Sequence, residues 1–354
     1  MKFYGQGMAL VALLLGGGVC AQERVGYEIP LRDPVKPDDP QINFQVELIL
    51  DANGFPSEYR MPLTTGVCLD GSCNLLKAVL FWDALGNYSR LEDDEGTPLT
   101  KGDHKPFSDA DYDRLDRLLK NKRSILGTHP LDYFLVKPDG RNRVDVDGVT
   151  AATPQSVKDA VVDQAAYTSW ALWQWVNGEV VDQLHSKTLA LVNDDYLLHG
   201  LKSTDRRLVR FALDQLMKRG LEDPRHCEAC FHILENSGRA NCEPALKLLT
   251  DSSANLAKVH RRLITLIGQN GGSSRLILTY FEKLPDPDPD VWVRLARQIP
   301  HISGYRDLDA AMALLAKHAN GSTEVRNQIQ PLLESEDRFV VQRAKEFLAA
   351  PNDS

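Results

Sequence analysis

The sequence predicts an α+β domain followed by an all-α domain of the helical-repeat kind. Three observations carry that prediction. After Pro40, short apolar runs with period-2 alternation are separated by turn signals. Beyond about Val180 those signals vanish and amphipathic stretches of helical period take over. Helix pairs then recur about every 35 to 45 residues, the range of HEAT-type repeats. The chain has 354 residues, room for two or three domains. Its 43% hydrophobic and 25% charged content is that of a globular protein and excludes a largely disordered one. A net charge of −8 argues against a nucleic-acid partner, since a phosphate backbone asks for a basic face.

Residues 1–21 read as a secretory signal peptide. Lys2 precedes the apolar stretch Met8–Leu15, and Val19-Cys20-Ala21 suits cleavage after Ala21. A lipoprotein reading would acylate Cys20, but Val19 stands where such signals place Gly or Ala. After Cys20 no apolar run approaches the roughly 18 residues of a membrane span. The expectation is a periplasmic or otherwise extracytoplasmic protein, soluble once the signal is removed.

Residues 22–40, rich in Pro and charge, read as an extended leader. Residues 41–178 form the expected α+β domain. Ile42–Leu50 begins with strand alternation, and Leu75–Trp82 is a second apolar run. Asp132–Val136 is a third, closed by the turn signal Lys137-Pro138-Asp139-Gly140. Ser108–Lys122 between them predicts a helix. Ser108 suits the N-cap, Asp111 stands three residues on, and Leu115, Leu118 and Leu119 line one face. A second helix is expected from Thr153-Pro154 to Gly178, with Thr153 a possible cap and Pro154 suited to the first position.

Residues 179–354 form the expected helical domain. Helices are predicted over 206–219, 243–249, 256–267, 274–284, 307–318, 323–333 and 338–349. Breaks are expected at Asp223-Pro224, Gly271-Gly272, Pro285–Pro289 and Asn320-Gly321. The openings at 205–213 and 337–344 are similar, each with Asp-Arg before an apolar face.

Export makes disulfides plausible. Cys68 and Cys73 bracket a Gly-containing turn, and a second bond is expected among Cys227, Cys230 and Cys242. The alternative for His226-Cys227-x-x-Cys230-x-His232 is a zinc site, although the spacing matches no standard one. Thiol-redox chemistry at Cys227/Cys230 is a further alternative, outside the thioredoxin-like context it needs.

The stretch most suggestive of chemistry is Asp147-Gly148-Val149-Thr150-Ala151-Ala152-Thr153. It resembles the flavin-attachment motif of FMN-binding domains, as in the flavinylated subunits of the sodium-pumping NADH:quinone reductase and related electron-transfer complexes. In that motif an acid, a variable residue, an inner hydroxyl and small residues precede an acceptor Thr or Ser. Asp147 matches the acid, Thr150 the inner hydroxyl, Ala152 the small residue and Thr153 the acceptor. Ala151 stands where the family often has Gly, which narrows backbone freedom. The resemblance covers about residues 41–178. It implies FMN joined to Thr153 through a phosphoester, a flavin transferase for maturation, and redox partner proteins at or near the membrane. Gly148, Ala151 and Ala152 would let backbone approach the phosphoribityl chain. The alternative is that Thr153 only caps a helix.

Tyr167 and Trp170 are the aromatic residues expected to stack near the ring, with Trp82, Trp173 and Trp175 behind them. Core packing is the alternative for each. The loop Pro98–Phe107 packs Lys101, Asp103, His104 and Lys105 together. Lys101 would favour a reduced, anionic flavin and His104 would move protons. A solvated loop is the other reading. No phosphate-binding glycine loop, zinc-protease motif or nucleophile elbow occurs. The chain thus reads as a flavin-dependent electron carrier whose helical domain docks partners, or as a cofactor-free extracytoplasmic scaffold.

Overall fold

The computed structural model describes residues 22–66, 75–93, 97–102, 104–135, 155–252, 256–285 and 287–350. These form an N-terminal antiparallel sheet followed by helices, so the α+β and all-α succession holds. The chain divides into two compact units, the first ending at Val192 and the second beginning at Asn193.

The first unit is built on five strands among the described residues: β1 (Arg24–Leu31), β2 (Ile42–Leu50), β3 (Pro56–Thr65), β4 (Leu76–Asp83) and β5 (Tyr88–Asp93). They pair in sequence order as a meander. One strand falls in the segment expected to be a leader. Arg24–Leu31 pairs along its whole length with Ile42–Ile49, burying Ile29 and Leu31. Its Pro and charged residues suit an edge strand, whose free side needs no ladder donors. Alternate residues make the buried face: Val46 and Leu48 of β2, Tyr59, Met61 and Leu63 of β3, Leu80 and Trp82 of β4. On the opposite face Arg90 lies over the Phe81 ring and pairs with Glu58, while Glu47 receives Arg24 and Arg60.

Helix α1 (Asp109–Lys120) begins as expected, with Ser108 at the N-cap and Asp111 accepting from the Ser108 amide at 2.9 Å. The single helix expected over 153–178 is instead two. Helix α2 (Gln155–Ala160) and helix α3 (Ala166–Asn177) are parted by a turn in which Val162 bridges Ala165 and Gln164 takes a φ of 58°. The Ser169 hydroxyl holds that break, accepting from the Val162 amide at 2.9 Å and donating to the Ala165 carbonyl at 2.8 Å. The expected strand Asp132–Val136 is a 3-10 turn at Leu131–Tyr133, and Val136 lies outside the described residues. Helix α4 (Glu179–Leu191) packs on β1 and β3 and belongs to the first unit, so the helical unit begins later than residue 179. Its Thr188 hydroxyl donates to the Ala84 carbonyl at 2.6 Å and meets the buried Tyr59 hydroxyl at 2.9 Å.

The second unit is a stack of helical hairpins. Its helices are α5 (Asp194–Leu201), α6 (Arg206–Arg219), α7 (Pro224–Asn236), α8 (Arg239–Ser252), α9 (Leu256–Leu266), α10 (Gly271–Lys283), α11 (Asp290–Gln298), α12 (Tyr305–His318), α13 (Thr323–Ile329) and α14 (Arg338–Ala349). Helices α6, α8, α10, α12 and α14 pack in succession as one layer; α5 meets α7, and α9 meets α11, which meets α13, in the other. Hairpins open at Asp194, Pro224, Leu256, Asp290 and Thr323. That is a step of about 30–34 residues, shorter than the expected spacing. Two expected breaks are helix starts. Asp223 caps α7 with Pro224 at its first turn, and Asn270 caps α10 just before Gly271-Gly272. The similar openings at Asp205 and Asp337 are N-caps too, each carboxylate accepting from the amide two residues on at 2.8 Å. Asn270 also joins neighbouring hairpins, donating to the Leu234 and Ser237 carbonyls at 3.0 Å.

Candidate functional site

Five expected site residues, Asp147, Gly148, Thr150, Ala152 and Thr153, lie outside the described residues. So does the Cys68–Cys73 pair. The chain is described again from Gln155, the first residue of α2.

The loop carrying Lys101 and His104 is a closed turn. The Lys101 amide donates to the Lys105 carbonyl at 2.8 Å, and Thr100 bridges Pro106. His104 sits at its exposed tip with a φ of 60°, a left-handed conformation unfavourable to a side chain with a Cβ. The Gly102 amide donates to the Gln164 carbonyl at 2.7 Å. That bond ties the loop to the turn closing α2, so two clusters distant in sequence are neighbours in the fold. Lys101 is not a free cation. Its Nζ lies 2.9 Å from Asp111 Oδ1, both side chains largely buried. Burial works against the Asp111 charge, but Ser108 and Lys101 outweigh it and hold the carboxyl below its ordinary range. His104 is therefore the exposed ionisable group of the two.

Tyr167 and Trp170 are core residues, 3% and 8% exposed. They offer no open face for a tricyclic ring. The polar edge of α3 explains why the helix is so aromatic. Its side chains donate to carbonyls along the connection that leaves α1: Asn177 to Leu119 at 2.9 Å, Trp173 to Asn121 at 3.0 Å, Gln174 to Leu126 at 2.7 Å and Trp170 to His129 at 3.0 Å. These donors satisfy loop carbonyls that burial would otherwise orphan. Gly127 is required there. A Cβ on it would lie 2.3 Å from the Trp173 ring. On the sheet side, the Trp82 indole donates to the Val176 carbonyl at 2.8 Å. Trp175 packs edge-on against Phe44, with ring centroids 5.1 Å apart.

Sequence reasoning missed two features beside this helix. Arg114 on α1 donates to the Lys158 carbonyl of α2, while its Nε is buried without a partner. His129 and Tyr133 make a tilted ring contact, with centroids 4.2 Å apart and planes 34° apart. The Gly127-Thr128-His129-Pro130 turn residues were the available signal for an ordered loop; Tyr133-Phe134 read instead as a strand.

The expected disulfide among Cys227, Cys230 and Cys242 is not formed; all three are free thiols. Cys227 and Cys230 lie on α7 and Cys242 on α8, where they pack as small apolar groups. Burial pushes the Cys227 thiol up and the Cys230 thiol up to about 12. Neither is a thiolate near neutral pH, which argues against exchange chemistry. Among the described residues no group of three His, Cys, Asp or Glu side chains is arranged to hold a metal. His226 instead bonds the Asp194 carbonyl at 2.9 Å.

The second unit has a surface groove of about 660 Å³ between α10 and α12. Leu278 and Leu314 line it, with Arg275, Arg306, Glu282 and Asp309 among its charged residues. Among the described residues no helix is long and apolar enough to cross a membrane. No family model, curated protein or solved structure matches the chain.

Proposed function

We propose that the protein is an exported electron carrier holding FMN through a phosphoester on Thr153, with its helical-repeat unit docking redox partners at or near the membrane. One observation supports this reading above the others: the Gly102–Gln164 hydrogen bond, which brings the His104 loop against the segment that follows the attachment motif. Attachment joins Thr153 Oγ1 to the FMN phosphorus. A flavin transferase catalyses the step: as the hydroxyl gives up its proton, Oγ1 bonds to the FMN-side phosphorus of a flavin dinucleotide donor, the pyrophosphate P–O bond breaks, and the donor's other half leaves as a nucleoside monophosphate. The bound flavin supplies the one- or two-electron chemistry. His104 stands where it can exchange a proton with solvent. The test is the intact mass of the protein purified from its own host. Wild type gains one FMN and keeps a yellow colour after denaturation; Thr153→Ala shows neither. An unmodified wild-type chain overturns the proposal.

A second reading is a cofactor-free extracytoplasmic scaffold. The burial of Tyr167 and Trp170 favours it, because neither stacking residue expected from the sequence is open to a ring. The α10–α12 groove would then be part of a partner-docking face.

A further inference from the structure

The ring that Tyr167 and Trp170 cannot receive has another surface available. Tyr133 is 47% exposed and is the one aromatic side chain classed as exposed among the described residues of the first unit. Exposing an aromatic ring of that size forgoes burial that Phe134, one residue on, obtains at 3% exposure. Tyr133 is also held in place. It packs at a tilt against His129 and meets Phe134 edge-on, with centroids 5.3 Å apart. His129 is fixed in turn. Its carbonyl receives the Trp170 indole at 3.0 Å, and its Nδ1 lies 2.9 Å from Thr128 Oγ1. A rigid, half-open aromatic pair of this kind offers a π face at low entropic cost.

We infer that the exposed side of Tyr133, backed by the tilted His129 ring, is the shelf on which a planar aromatic ligand, the isoalloxazine ring of the flavin, lies. The identity of that ligand rests on the flavin reading above. Chain connectivity supports it. The stretch that bears Thr153 leaves from Leu135, two residues after Tyr133, and returns at α2, which packs against the Ile125–Gly127 turn just before His129. The described residues on either side of that stretch, Leu135 and α2, thus lie near the shelf. Trp170 acts here as a positioning residue, through the His129 carbonyl.

The experiment titrates lumiflavin, the ring without its phosphate chain, onto the full-length Thr153→Ala protein and follows flavin fluorescence. Saturable quenching is expected. It weakens about fivefold or more in Thr153→Ala/Tyr133→Leu and is retained in Thr153→Ala/Tyr133→Phe, which keeps the ring. Tyr133 is exposed, so neither change threatens the fold; circular dichroism checks that. Absence of quenching in Thr153→Ala, or equal quenching with Tyr133→Leu, overturns the shelf. Intact mass of the wild type tests attachment separately. An unmodified chain that still binds lumiflavin through Tyr133 would sink the covalent carrier and keep the shelf. A flavinylated chain whose fluorescence ignores Tyr133→Leu would do the reverse.

Discussion

The two units differ in the range over which their polar contacts act. In the first, α3 donates to carbonyls 41 to 58 residues away in sequence. In the second, the helix caps at Asn193, Asp205, Asp223, Asn270, Ser322 and Asp337 bond amides two or three residues on, and longer bonds such as Asn270 to Leu234 and His226 to Asp194 join adjacent hairpins. A fold held by long-range donors depends on every element being in place. A hairpin stack built from locally capped helices is closer to a sum of units and interfaces between neighbours. Damage in the sheet unit should therefore spread, whereas damage in the hairpin stack should stay near its origin.

The sharpest way to break this contrast is Trp173→Ala. It removes a 6%-exposed side chain and the Asn121 contact together. The expected loss is about 3–5 kcal/mol, close to the whole stability of a domain. Hydrogen exchange read by mass spectrometry should show protection falling throughout residues 22–192, and strands that stay protected would refute it. Next comes Gly127→Ala, whose new methyl meets the Trp173 ring; about 1–3 kcal/mol is expected. Urea unfolding followed by near-ultraviolet circular dichroism measures that loss.

In the hairpin stack, Asp205→Ala removes a cap and costs about 1 kcal/mol. Exchange should rise in α6 and its immediate neighbours, leaving α12–α14 unchanged. A loss of protection across the whole second unit would erase the proposed difference between the units. The smallest effect is in pH. Burial pushes the His260 pKa below its ordinary 6.5, with Asp288 opposing. The folded state therefore binds fewer protons there than the unfolded one. That stability is present above pH 6.5 and is lost as pH falls through the folded value. Burial lowers His318 as well, in the same sense. His260→Leu should flatten the decline in melting temperature below pH 6.5, and an unaltered slope would assign the dependence elsewhere.

Much of the second unit was legible because its signals are short. The helices at Arg206–Arg219 and Arg338–Ala349 match the expected spans, since an Asp cap and an apolar period of 3.6 both fall within one window. The breaks expected at Asp223-Pro224 and Gly271-Gly272 lie at junctions between helices, and the residues themselves are the cap and first turn of α7 and the first turn of α10. In the candidate site, the capping box at Ser108 and Asp111 could be read directly, but the pairing of Lys101 with Asp111 could not. His129 and Tyr133 had no motif, as their ring contact depends on a 3-10 turn that replaced an expected strand.

Sequence alone determined the order of sheet and helices, the alternation of β2, the apolar run of β4, and the capped helices of the hairpin stack. Each follows from periodicity or capping within a few residues. Tertiary structure decided that Arg24–Leu31 is a strand, that the long aromatic helix breaks at Gln164, that its tryptophans face the core, and that Cys227, Cys230 and Cys242 remain thiols. The reason is common to all four. Each outcome is set by which distant backbone or apolar surface a segment meets, and that competition is resolved only when the whole unit packs.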